Sequence, residues 1–170
     1  MARLGHWGIY SPVTSPLLRA ATSAALTGTA VGGITESDIV AGGKTIIITL
    51  TGDTWVAAGA TFDAQRQNII NGMTSAQSEA LGWNNVVKAL QGVAGVVRTS
   101  NTVVTITLDA QITYDITATE TVTVTVPGTA VSLGNSIVAT PTIQVTASGA
   151  AFVSAWAMGA TRIIGVGIHV

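Results

Sequence analysis

Between Ser100 and Gly128 threonine recurs nine times, at every second position from Thr117 to Thr125, among aliphatic residues and with little charge. Successive side chains of a strand point to opposite faces, so this alternation predicts half-buried β-structure. In "TVVTITL" (102–108), Val104, Ile106 and Leu108 share one face, and Val103, Thr105 and Thr107 share the other. "VVRTS" (96–100) is its expected hairpin partner across the turn pair Ser100-Asn101. "ITYDI" (112–116) and "ETVTVTV" (120–126) continue the meander, with Val122, Val124 and Val126 inward and threonines outward. Pro127 ends that run, because proline has no N–H for a ladder. "TPTIQVTA" (140–147) is a last strand with Ile143 and Val145 inward. Upstream, "GGKTIIITLTGDTW" (42–55) is a strand bounded by glycines, whose unbroken Ile46–Ile48 suits a central position or burial on both faces. Asp109, Asp115 and Glu120 fall at strand ends, on the polar side of the wall.

From Thr61 to Gln91 the period changes from 2 to 3.6. Phe62, Ile69, Ile70 and Met73 form one helical stripe, and Trp83, Val86, Val87 and Leu90 form another. Thr61 is the expected N-cap of the first helix, and Asn71-Gly72 its left-handed exit. Thr74 and Gln77 have capping-box spacing, and Trp83 reads as a core anchor. Residues 1–33 show neither period and read as an N-terminal arm, in which Trp7 and Tyr10 have too little local sequence to bury them. The expected organisation is therefore an arm (1–33), a β-domain (34–147) with a helical segment at 61–91, and an apolar C-terminal attachment segment (148–170). Short strands separated by frequent turns predict a mainly β fold, a β-sandwich.

Composition sharpens this picture. Charged residues make up 9% of the 170, against about 25% in ordinary soluble proteins, while 48% are hydrophobic. A surface so poor in charge favours burial in an assembly. A net charge of -1, with Arg66, Lys88 and Arg98 scattered, argues against nucleic-acid binding. The absence of cysteine excludes a disulfide framework. The first residues lack the apolar core of a signal peptide. The apolar stretch 147–170 carries Arg162, which costs about 2.5–3.5 kcal/mol in a membrane span, so no membrane partner is expected.

No residue constellation spells out a reaction. Asp109 and Asp115 are the closest carboxylates on the sheet and read as solvated turn formers. Glu36 and Asp38 flank Ser37 without completing an oxygen cage for calcium. His6 and His169 match no metal or nucleophile spacing, and "GVGIH" (165–169) lacks the Lys-Ser/Thr of a phosphate loop. No enzyme, cofactor or metal site is expected.

The pieces "ITESDIVAGGKTIIITLTGDTWV", "FDAQRQNIINGMTSAQSEALGWNNVV", "VVRTSNTVVTITL", "YDITATETVTVTVP" and "IVATPTIQV", in that order, resemble a domain of tailed-bacteriophage and prophage structural proteins. The resemblance covers about 34–147 and implies an immunoglobulin-like sandwich displayed on virions, with no catalytic residues to carry over. It leaves the two ends unexplained. The function expected is that of a capsid decoration (cement) protein in the virion, assembled in the host bacterial cytoplasm. Its partners would be other virion proteins, the major capsid protein first, in a homo-oligomer or symmetric array. Trp7, Tyr10, Phe152, Trp156 and Arg162 are the expected interface residues, since aromatics and arginine dominate interface energetics. Phe152 and Trp156 would equally suit a final core strand. A tail, collar or fibre component, or a glycan-binding adhesion module using the tryptophans, are the alternatives.

Overall fold

The structure, a computed structural model, describes residues 21–148. Nine strands run along it: β1 (Ser23–Thr27), β2 (Ile34–Thr35), β3 (Thr45–Thr51), β4 (Met73–Ser75), β5 (Val96–Arg98), β6 (Val103–Thr107), β7 (Glu120–Val126), β8 (Ile137–Thr140) and β9 (Ile143–Thr146). Four short helices are α1 (Glu36–Ala41), α2 (Ala60–Asp63), α3 (Arg66–Asn71) and α4 (Val87–Leu90). The strands form a mixed sheet in the order β2-β9-β7-β8-β1-β3-β6-β5, with β4 paired on β7. The β1–β8 and β2–β9 pairs are parallel; β3 lies between β1 and β6, both antiparallel to it.

The alternation in the sequence is what fixes which face is buried. Ile46, Ile48 and Leu50 of β3, Val104 and Ile106 of β6, and Val122, Val124 and Val126 of β7 all enter one core. Ile143 and Val145 of β9 join them, as expected. Ile47 is half-buried on the opposite face, so the Ile46–Ile48 run belongs to a central strand that still alternates. Trp83 has no exposure, in agreement with its reading as an anchor. Trp55 is equally deep and meets Phe62 edge to face, with ring centroids 6.2 Å apart.

Several local expectations change. Within the segment read as an arm, Ser23–Thr27 is a full sheet strand between β3 and β8, its inward side only Ala24 and Leu26. Two small-to-medium apolar residues make too weak a period to show in the sequence. The 112–116 segment is no strand: Tyr114 and Ile116 turn inward, while Ile112 is 83% exposed. The helical segment 61–91 contains β4, which takes Met73 out of the first helix, and only one turn of the second stripe, α4, is helical. Gly59 rather than Thr61 precedes α2, and Thr74 lies in β4 rather than in a capping box. Gly72 has φ -74°, so its role is not a left-handed exit. Its backbone meets that of Thr125, whose N–H donates to the Gly72 carbonyl at 2.8 Å.

A capping box does exist, one element earlier. The Thr35 hydroxyl accepts from the Asp38 N–H at 3.3 Å, and the Asp38 carboxylate accepts from the Thr35 N–H at 2.9 Å, closing the start of α1. That backbone donor, with Lys44 at 3.0 Å, holds the Asp38 pKa at about 2 instead of 3.8. Its folded pKa is depressed, so the unfolded chain binds more protons in this interval and the stabilisation is lost as pH falls from about 4 to about 2. Urea midpoints should drop more steeply over that range in the native chain than in an Asp38→Asn variant. Parallel pH profiles would contradict the assignment.

The two ends of the described chain leave from opposite poles. Register pairs Ser23 with Thr51, at the C-terminal end of β3. Ser148 donates its N–H to Glu36 of α1 at 3.1 Å, and α1 leads through Gly42 into the N-terminal end of β3. Seven strand residues at about 3.3 Å each separate the poles by roughly 20 Å.

Candidate functional site

Two places in the body hold carboxylates that the core has enclosed. The first lies at the α1 pole and is organised by Glu120. As the first residue of β7 it has the same parity as Val122, Val124 and Val126, so its side chain points into the core with no exposure. One carboxylate oxygen accepts from the Trp83 N–H at 2.8 Å and from the Tyr114 hydroxyl at 2.7 Å. The other lies 3.3 Å from the Ser75 hydroxyl. The 76–86 loop and the 109–119 loop thus share one buried acceptor.

Polar neighbours extend that knot outward. Asn84 accepts from the Ser75 N–H at 3.0 Å and donates to the Ser75 carbonyl at 2.7 Å. Glu79 accepts from the Thr117 hydroxyl at 2.8 Å. Burial, followed by the hydrogen bond to Glu120, raises the Tyr114 pKa well above the ordinary tyrosine range, so this phenol is a fixed donor. With its lone pairs directed at donors and no access to solvent, Glu120 acts as a clamp between loops rather than a general acid or base. Its position at a strand end suggests the polar side of the wall; the parity with three valines is the signal for the opposite, and the structure follows the parity.

The second enclosed carboxylate, Asp53, lies at the pole where β1 begins. It is 7% exposed and lines a cleft of about 410 Å³ together with Gly52, Thr54, Ser132 and Leu133. Nothing in the sequence distinguishes it from an ordinary Gly-Asp turn acid.

The other acids considered above stay apart from both places. Asp109 is exposed and accepts from the Gly92 N–H at 2.6 Å, while its own N–H donates to Gln91 at 3.0 Å, which makes it a loop clasp. Asp115 is exposed, Asp38 closes the start of α1, and Glu36 accepts from the Ser148 N–H. Among the described residues no group of three or more His, Cys, Asp or Glu could hold a metal ion. None of the helices there is long and apolar enough to cross a membrane. The expected interface residues Trp7, Tyr10, Phe152, Trp156 and Arg162, like His6 and His169, lie outside the described residues.

Comparison with protein-family models, with curated proteins and with solved structures returned no match. The likeness to phage structural domains rests on the sequence pieces alone.

Proposed function

We propose that the chain is a bacteriophage virion structural protein, a capsid decoration protein whose body is an immunoglobulin-like sandwich and whose ends clasp neighbouring subunits. In this reading β8-β1-β3-β6-β5 and β4-β7-β9-β2 are the two layers, each burying one face in the common core. The observation that carries the functional reading is the departure of two apolar, acid-free ends from opposite poles of a charge-poor β body. A body held at both poles can bridge subunits, and the major capsid protein is the partner such an array requires. Exposed Leu90 (60%), Ile112 (83%) and Val138 (60%) add apolar surface that a neighbour would cover. The sealed Glu120 fits a structural module, in which buried polar groups fix loops.

The test is co-sedimentation with shells assembled from the cognate capsid protein. The cut must respect β1: a variant starting at residue 34 would lose a central strand, whereas one starting at residue 21 keeps all core residues named above. The full chain should pellet with shells, and variants lacking 1–20 or 149–170 should stay folded and bind at least tenfold more weakly. Undiminished binding by both would contradict the clasp. Binding to tails but not to shells would favour a tail component, and glycan binding by the isolated monomer an adhesion module.

A further inference from the structure

Strands β8, β1, β3, β6 and β5 are neighbours in the sheet, and the residues of inward parity in each of them enter the core. Their outward residues meet in rows set by the register. One row is Thr140, Ala25, Thr49 and Val103, and the next is Thr27, Ile47, Thr105 and Val97. No outward residue of these five strands is charged. Arg98 of β5 has the inward parity of Val96 and is turned to Asn101 at 2.7 Å. Ile47, Val97, Val103 and Val138 all lie on this face; the first and third are half-buried, the other two exposed. The outward residues of β4, β7 and β9 make the contrast, for Thr74, Thr121, Thr123, Thr125, Gln144 and Thr146 include no aliphatic. Threonine suits a solvated strand face, and β7 shows that this sequence uses it there. An isoleucine and three valines framed by threonines have instead the apolar centre and polar rim of a contact surface.

The chemistry of the face says what covers it. Its threonines, valines and isoleucine are β-branched and stiff at χ1, and no long flexible side chain stands among them, so little side-chain freedom is lost on contact. A threonine hydroxyl both donates and accepts, so threonine can satisfy threonine, and a face without charge meets its own copy across a two-fold axis with no like charges opposed. Elsewhere the described body carries eight acids against four basic residues, so other contacts between two copies bring like charges together. The size is sufficient as well. Five strands about 4.8 Å apart, and the seven residues of β3 at about 3.3 Å each, outline a face of roughly 24 by 23 Å. Two such faces bury about 1,100 Å² together, just past the roughly 1,000 Å² that a specific contact needs.

We propose that the outward face of β8-β1-β3-β6-β5 is a homodimer interface, in which two copies pack face to face about a two-fold axis through the rows of Ile47 and Val103. This goes beyond the virion reading and does not depend on it.

Sedimentation equilibrium of the full-length chain over a range of concentrations tests it. A contact of this size predicts a dimer half dissociated near about 10 μM. Thr105→Lys places one lysine from each copy in the contact, at an outward position where the fold is retained, and should raise the dissociation constant at least about tenfold. Ala25→Lys, in the neighbouring row, should do the same. Thr123→Lys, on the outward face of β7, should leave the dimer as it was. A native chain still monomeric at about 200 μM would overturn the proposal, and so would a dimer that both Thr105→Lys and Ala25→Lys leave as tight as before. A dimer lost only in Thr123→Lys would move the contact to the β7 face and overturn it likewise. A trimer or larger species would overturn the two-fold pairing.

Discussion

Replacing Glu120 with alanine is expected to lower the unfolding free energy by about 3–5 kcal/mol, whereas glutamine costs about 1 kcal/mol. Alanine strips the acceptor from the Trp83 N–H and the Tyr114 hydroxyl at once, and both belong to buried residues. Each orphaned donor costs about 1–3 kcal/mol, and the vacated volume adds to it. Glutamine keeps one oxygen for those two donors and can direct its amide at Ser75, 3.3 Å from the other carboxylate oxygen. The contrast between the two variants, read from urea unfolding, separates the loss of an acceptor from the loss of a charge. Equal losses in both would mean that charge, not hydrogen bonding, holds the loops. Near-native stability of the alanine variant would remove Glu120 from its role altogether.

The second large effect is expected at Gly72, where alanine should cost about 3 kcal/mol or prevent folding. A Cβ there would overlap the Thr125 carbonyl oxygen, which belongs to β7 and cannot withdraw without breaking its ladder. The φ of -74° shows that any residue could adopt this backbone; only the closeness of the other strand forbids it. Gly32 is the control, because an added methyl there would meet nothing within 4 Å, and Gly32→Ala should change stability by less than about 0.5 kcal/mol. A thermal melt of both variants decides the matter. If Gly72→Ala melted with the native chain, the packing of α3 against β7 would have to be looser than described.

How much of this is legible in the sequence depends on the kind of information each element carries. Strands β3, β6, β7 and β9 have strong period-2 alternation of β-branched residues, and their inward residues follow from it. Strand β1 has only Ala24 and Leu26 to mark it, and its place depends on pairing with β3 and β8, which no local pattern encodes. The 112–116 segment has strand-like composition, yet Tyr114 is drawn inward by a hydrogen bond to Glu120 and leaves the ladder. Tertiary contact there overrides propensity. The same holds between Thr61 and Gln91, where Met73 and Ser75 pair with β7 and interrupt the helical stripe.

The sites are less legible than the strands. Glu120 is visible in principle, through its parity with Val122, but a carboxylate at a strand end is ordinarily solvated, and that expectation hides it. Asp53 becomes distinctive only when Leu133, eighty residues away, arrives to donate its N–H. Composition carries further: the confinement of all eight acids to the body, which leaves both ends free of them, is present in the sequence, but its meaning depends on where β1 and β9 leave the sheet.

The central claim is that the ends, rather than the body, attach this protein to a particle. A cryo-EM reconstruction of the virion tests it most directly. The account predicts β bodies arrayed on the capsid, with density for Trp7, Tyr10, Phe152 and Trp156 enclosed by neighbouring subunits. Bodies seated on the shell through their own strands, with both ends folded back against the same copy, would contradict it.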